Sequence, residues 1–429
     1  MSNGANNNCA TGLHPQRSRM IPARNRNILA RDSSIVPTTD INMVRHIYVH
    51  IPFCARICPY CAFYKDLLDR SHTWRFCEAI LQELEQYQRW SIPSSPRASN
   101  TAGLARRTGD RRSLLRPSTV YFGGGTPTAL NIAQLERLLR GFDEKLDLSQ
   151  LVEWTMEANP GSVSARKATL LKKFGVNRIS LGVQSWDDEL LELLGREHKS
   201  SQAEQSFRIL RAAGFTNINI DLMFGLPGQT IDQWRKSLGQ TIALQPEHIS
   251  TYCLTYEEDT EFFVRYARGE FRQDAEADAD FFEMTMTIMA DAGYEHYEIS
   301  NYARLGFESA HNRAYWLGKD YLGIGPSAVS TIGMHRWQNV RDYRAYGDRV
   351  LSGQSPRASI EKLTREMKRI ERIALLLRTR DGIPGSELDA FKLQTDELIA
   401  LKLLERSNGA FVLTRKGKAL ADSVAEAFL

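Results

Sequence analysis

Three cysteines within eight residues, Cys54, Cys58 and Cys61, are the groups in this chain best suited to chemistry. Their spacing is C-x3-C-x2-C. A structural zinc wants four ligands, and three thiolates fall one short. A [4Fe–4S] cube is also held by thiolates, and three of them would leave one iron free as an open coordination site. The spacing alone leaves a zinc knuckle, or three unrelated core cysteines, as the other reading. A second candidate is Gly123-Gly124-Gly125-Thr126-Pro127. Three glycines let the backbone come close to a ligand and aim N–H groups at an anion; a plain tight turn is the other reading.

These residues need elements to hold them. His46-Ile47-Tyr48-Val49-His50-Ile51 alternates like a strand and runs straight into the cysteines. The thiols therefore sit on a loop at a strand's C-terminal end, where α/β enzymes build their sites. The rhythm repeats. Further strands are expected at 118–122, near 152–157, at 178–183, at 218–223 and near 248–254, with helices at 165–174, 202–213 and 232–244 between them. Six βα units in series predict a parallel sheet curling into a partial (βα)6 TIM-type barrel. A helix at 278–292 and an extended stretch at 294–302 follow. Helices at 363–378, 384–391 and 396–402, then an alternating 404–413 and a last helix near Arg415, predict a winged-helix-like C-terminal domain.

The expected domains are thus a tail over 1–42, a barrel over 43–275, an extension over 276–358 on the substrate side and the winged helix over 359–429. The tail, rich in Asn, Arg, Ser and Pro, reads as disordered, with Met43 an alternative start. Residues 91–117 carry three prolines and six arginines and read as an inserted mobile loop. Composition is that of an ordinary globule: 429 residues, 42% hydrophobic, 25% charged. No run of 18 apolar residues occurs, so no membrane-spanning helix is expected. The net charge of +4 is concentrated in the tail and the inserted loop, so a nucleic-acid partner is not expected. The six cysteines (the trio with Cys9, Cys77 and Cys253) form no disulfide framework, which fits a reducing, cytoplasmic setting.

C-x3-C-x2-C with an aromatic just before the last cysteine resembles the signature of the radical S-adenosylmethionine (SAM) superfamily. That resemblance implies that Cys54, Cys58 and Cys61 hold a [4Fe–4S] cluster. It implies too that SAM binds the free iron and that an electron can break its S–C5′ bond. The glycine run resembles the superfamily motif that holds the methionine amino group of SAM, with Gly124, Gly125 and Thr126 in its positions. Nearly the whole chain from Tyr48 onward resembles the oxygen-independent coproporphyrinogen III oxidase-like family. There Tyr48, Glu157, Gln184, Arg196 and Asp221 match SAM-contacting positions. Glu157 and Asp221 can accept from ribose hydroxyls or the amino group, and Arg196 can clamp a carboxylate bidentately. Any one of them alone reads equally as a surface ion pair or a cap.

Two features depart from the oxidases. Their motif continues to a fourth cysteine, where this chain has Phe63, and the chain carries His311-Asn312-Arg313-Ala314-Tyr315-Trp316. Both are features of the heme chaperones of the HemW type, which this chain resembles. The resemblance implies heme binding near His311, a heme-accepting partner of the respiratory kind and an electron donor for the cluster; a homodimer is a further expectation. Neutral imidazole is a good axial ligand for heme iron, and Tyr315 and Trp316 offer aromatic faces; a core histidine with aromatic packing is the other reading. The rival function is an oxygen-independent coproporphyrinogen III dehydrogenase. A nucleic-acid regulator built on the winged helix is a third.

Overall fold

The computed structural model describes residues 44–90 and 114–429. The tail, Met43 and most of the expected insertion lie outside the described residues. Six strands run parallel in chain order: β1 (His46–Ile51), β2 (Thr119–Gly124), β3 (Glu153–Ala158), β4 (Arg178–Gln184), β5 (Ile218–Phe224) and β6 (His248–Cys253). Six more strands extend the same sheet: β7 (Glu295–Glu298), β8 (Asn301–Ala303), β9 (Tyr321–Ile324), β10 (Val329–Ile332), β11 (His335–Asn339) and β12 (Arg357–Lys362). The order is β12-β11-β10-β9-β1-β2-β3-β4-β5-β6-β8-β7, an open sheet of twelve strands. The extension after the barrel therefore continues the barrel wall at both edges. β9 lies parallel to β1, and β8 antiparallel to β6.

Strand alternation sorts residues onto two faces. Ile47, Val49, Ile51, Val120, Phe122, Trp154 and Met156 join the main apolar core beneath the helices. Burying a side chain such as Phe122 contributes about 1.5–3 kcal/mol. The alternate positions, His46, Tyr48 and His50 on β1, Thr119 and Tyr121 on β2, and Glu153, Thr155 and Glu157 on β3, carry polar groups. They bond to one another across the strands, as in Tyr121 to Glu157 and Thr119 to His46. The lumen of this partial barrel is thus polar, whereas closed barrels of this class fill theirs with branched apolar side chains.

Helices start where the site loops end. Asn131 caps the helix Ile132–Lys145 just after the glycine loop, and Gln134 closes the capping box. Thr230 and Gln233 do the same for Ile231–Ala243 after the loop that follows β5. In the C-terminal part, the helix expected over 384–391 is replaced. Ile383–Pro384 pairs as a short strand with Ala410 and Phe411, and 3-10 turns span Gly385–Glu387 and Asp389–Phe391. Buried Ile383 anchors that strand, and Pro384, lacking an N–H, ends the ladder. The next helix starts at Lys392. A helix over Arg365–Leu377, three strands and short terminal helices complete the winged-helix-like unit. The Arg378–Asp422 ion pair is buried within it.

Candidate active site

The C-terminal ends of the six parallel strands surround a cavity of about 220 Å³. Cys54, Cys58 and Cys61 line one side. Gly124, Gly125, Thr126 and Glu157 form another, and Gln184, Arg196 and Asp221 a third. Ten of the residues singled out in the sequence thus meet in one place, although they span 54 to 221 in the chain.

The cysteine loop is pinned at both ends. Cys61 N–H donates to the Cys58 carbonyl over 3.2 Å, and Leu68 N–H to the Cys54 carbonyl over 2.9 Å. The Lys65 ammonium donates to the Cys61 carbonyl. Burial pushes the Cys54 thiol up to about 12. Among the described residues, no three His, Cys, Asp or Glu side chains are gathered to hold a single metal ion. The sulfurs line a shared cavity without converging on a point. That donor set suits a cube, in which each of three irons takes one thiolate.

The glycine loop has no room for side chains. A Cβ on Gly123 would lie 2.7 Å from Glu157 Oε1, and one on Gly125 would lie 2.6 Å from the Pro52 carbonyl. Gly124 has φ +109, a conformation costly to any other residue. Thr126, where the superfamily motif has glutamate, sits 3.7 Å from Cys54 Sγ and accepts from Asn159 Nδ2 over 2.7 Å. Glu157 accepts from Gly124 N–H over 3.0 Å and from the Tyr121 hydroxyl over 2.8 Å.

Opposite lies Arg196. Its Nη2 donates to Asn159 Oδ1 and to the Gly182 carbonyl, both at 2.7 Å, and Nη1 stands 3.7 Å from Cys58 Sγ. Its buried Nε has no hydrogen-bond partner. Burial works against this charge, yet Tyr60 and Cys58 beside it raise its pKa. A buried guanidinium is costly unless anionic groups offset it, and Arg196 lines the cavity. Asp221 accepts from Asn219 Nδ2 over 2.7 Å and Ser180 Oγ over 3.0 Å. Burial, then the Glu157 charge, holds its carboxyl above the usual range. Gln184 ends β4 at φ +70, backbone strain of about 1–3 kcal/mol of the kind found at functional sites. Glu157, Asp221 and Arg196 thus set two carboxylates and a guanidinium beside the three thiols, and Arg56, Lys65 and Glu257 also line the cavity. SAM, with its ammonium, sulfonium and carboxylate, has the complementary set of charges.

Tyr48 and His311 lie elsewhere. The Tyr48 hydroxyl is 3.0 Å from His50 Nδ1, and its ring stacks on Tyr121 at 6.0 Å. It forms a layer beneath the cavity. His311 sits below that layer, at the N-terminal end of the strands, 5% exposed. Its ring packs on Tyr121 at 5.1 Å, and its Nδ1 is 2.8 Å from Thr119 Oγ1. Tyr315 and Tyr321 border a small notch there together with His46, Tyr48 and His311. Trp316 is buried toward the C-terminal domain, with the Arg378 guanidinium 5.6 Å from its ring. Sequence reasoning missed Tyr121, Asn159 and Ser180, which hold the chosen residues. Their signal was present: each stands at a polar position of an alternating strand or just past a strand's end.

The radical SAM superfamily model matches residues 111–240, from β2 to the helix after β5. The chain is 36% identical over 392 residues to the heme chaperone HemW of Lactococcus lactis, covering 89% of this chain and 96% of the relative. It is 36% identical over 397 residues to the heme chaperone HemW of Bacillus subtilis, covering 90% and 99%. With the Escherichia coli heme chaperone HemW it shares 32% identity over 393 residues, covering 89% and 97%. The coproporphyrinogen III oxidase of Escherichia coli (HemN), described as a radical SAM enzyme, shares the fold at TM-score 0.74 and 23% identity, covering 90% of each chain.

Proposed function

The chain belongs to the HemW heme chaperone family, and on that premise we propose that it binds a [4Fe–4S] cluster, SAM and heme and passes the heme to an acceptor protein. The observation that carries the cofactor part is the single cavity whose wall gathers the three thiols, the glycine loop and the Arg196 guanidinium.

In this reading Cys54, Cys58 and Cys61 hold three irons. When bound, the cluster supplies one-electron chemistry and an open iron for the amino acid end of SAM. Arg196, on the cavity wall, would receive the SAM carboxylate. Gly124, Gly125 and Thr126 lie along the methionine part, and Glu157 and Asp221 balance its positive charge. Gln184 offers an amide toward the nucleoside, and Tyr48 supports the floor through Tyr121.

Heme contacts the chain near His311, on the far side of the Tyr48–Tyr121 layer. Tyr121 touches both sides: its hydroxyl donates to Glu157 and its ring rests on His311. Occupancy of the upper cavity can therefore bias the lower one through a single side chain. The acceptor is a respiratory heme protein, an electron donor serves the cluster, and the free cysteines fit a cytoplasmic setting. Self-association is a further expectation, which sedimentation would settle.

The test is anaerobic reconstitution followed by titration with ferric heme and with SAM. Saturable binding of both supports the proposal; protein that takes up neither contradicts it. The dehydrogenase reading predicts vinyl product from coproporphyrinogen III and SAM, and the proposal predicts none.

A further inference from the structure

A chain of buried hydrogen bonds runs from Asp221, on the cavity wall, across β5, β6 and β7. Asn219 Nδ2 lies 2.7 Å from both Asp221 Oδ1 and Ser180 Oγ. Ser180 Oγ in turn donates to Asp221 Oδ2 over 3.0 Å. Asn219 stands opposite His248 in the β5–β6 ladder, and its Oδ1 is 2.7 Å from His248 Nδ1. The other ring nitrogen, Nε2, is 2.8 Å from the Tyr297 hydroxyl. That hydroxyl accepts from Ser309 N–H over 3.3 Å, and Ser309 caps the helix Ala310–Trp316. Asn219 and His248 are wholly buried, and Tyr297 is nearly so.

Proton counting gives this chain one direction. An asparagine amide has two hydrogens on its nitrogen, and here Ser180 and Asp221 take both. What remains for His248 is the amide oxygen, an acceptor, so His248 must present Nδ1–H. Ser250 Oγ donates to the same oxygen over 3.1 Å. Turning the amide over would set its oxygen against the Asp221 carboxylate. Burial, then the Arg178 charge, holds the His248 pKa well below the ordinary imidazole value, so the ring is neutral. A neutral imidazole carries one N–H. With that proton on Nδ1, Nε2 accepts from the Tyr297 hydroxyl.

We propose that His248 is a positioning residue for the cofactor cavity: held as its Nδ1–H tautomer between Asn219 and Tyr297, it locks the Asn219 amide so that Asp221 keeps its place as a carboxylate offered to SAM. The proposal rests on the SAM-binding reading above and adds His248, Asn219 and Tyr297 to it. None of these three is among the residues that line the cavity; they act through Asp221. Histidine suits the position because one neutral ring is a donor on one side and an acceptor on the other.

The experiment uses full-length, cluster-loaded protein. Nitrogen-15 spectra of histidine-labelled wild type, with the signal assigned by its loss in His248→Gln, are expected to show the Nδ1–H tautomer for His248. SAM affinity is read by equilibrium dialysis, with iron and sulfide measured on the same samples. The proteins are wild type, His248→Leu, His248→Gln, Asp221→Asn and the double variant of His248→Leu with Asp221→Asn. Losing one neutral hydrogen bond behind the carboxylate is expected to weaken SAM about 2- to 10-fold in His248→Leu, at unchanged cluster content. Glutamine, whose amide can also donate to Asn219 and accept from Tyr297, is expected to restore most of that affinity. In the double variant the His248→Leu loss is expected to vanish, because the group it positions is gone. An Nε2–H ring, SAM binding in His248→Leu equal to wild type, or a double variant that shows both losses in full would overturn the proposal. If His248→Leu fails to fold, Tyr297→Phe takes its place: weaker SAM binding supports the proposal, and binding equal to wild type overturns it. Wild type that shows the Nδ1–H ring and binds no SAM would instead bring down the cofactor reading, and the proposal with it.

Discussion

Replacing Arg196 by lysine tests the cofactor cavity at an informative side chain. The guanidinium spends Nη2 on Asn159 and Gly182 and lines the cavity wall. Lysine keeps the charge but not the planar fork, and its single nitrogen cannot serve Asn159, Gly182 and a ligand carboxylate with the same geometry. One charge-assisted hydrogen bond contributes about 1.5–3 kcal/mol. At about 1.4 kcal/mol per factor of ten, Arg196→Lys should weaken SAM about 10- to 150-fold. Arg196→Met is the poorer probe, because it strands two buried acceptors and costs stability as well. The assay is equilibrium dialysis of SAM against anaerobically reconstituted protein, with iron and sulfide measured on the same samples. The cysteines do not depend on Arg196 for ligation, so cluster content should be unchanged. SAM affinity within twofold of wild type at equal iron content would refute the assignment of Arg196 to the carboxylate.

Alanine at Cys54, Cys58 or Cys61 should each abolish uptake of iron and sulfide, whereas alanine at Cys77, buried away from the cavity, should leave it intact. Tyr121→Phe removes the hydroxyl that donates to Glu157 and keeps the ring on His311. It should reduce any effect of SAM on heme affinity, read from heme titrations with and without SAM. Asp221 has a raised pKa, so it takes up a proton above the usual carboxylate range and loses charge. SAM affinity should therefore rise as pH climbs through that range, and Asp221→Asn should flatten the dependence. Glu83 is fully buried among Tyr346, Gly325 and Asn339, and burial pushes its carboxyl up to about 7. Its folded pKa exceeds the unfolded one. The stability it contributes is thus fully present below the unfolded value and lost as pH rises through about 7. The loss should approach about 3 kcal/mol in melting experiments and shrink in Glu83→Gln.

The barrel was legible because its strands are short, alternating and followed by capped helices, and each of the six was found within a few residues. The cavity residues were legible through the family resemblance; Cys54, Gly124, Glu157 and Gln184 stand at or just past strand ends, whereas Asp221 lies within β5. Less legible was which face of each strand turns inward. His46-Ile47-Tyr48-Val49-His50 reads as a half-solvated strand, and in the fold its polar face lines a lumen. That is why Tyr48 lies beneath the cavity and His311 is shut in at the bottom. Of the flanking strands, β7 and β8 fall in the extended stretch expected at 294–302, whereas β9 to β12 escaped notice; β9 and β10 have four residues each and too few alternations to register. The turns after Pro384 looked helical because their apolar spacing is, while the missing N–H and the pull of the small sheet decide otherwise.

The central claim is that this chain carries heme and gives it up to another protein. The direct measurement follows the heme absorbance band when cluster-loaded, heme-bound protein meets a heme-free respiratory acceptor under anaerobic conditions. The account predicts that the band moves to the acceptor's spectrum faster than with free heme or with protein lacking the cluster. Heme that stays in place, or that reaches the acceptor no faster than free heme does, would contradict it.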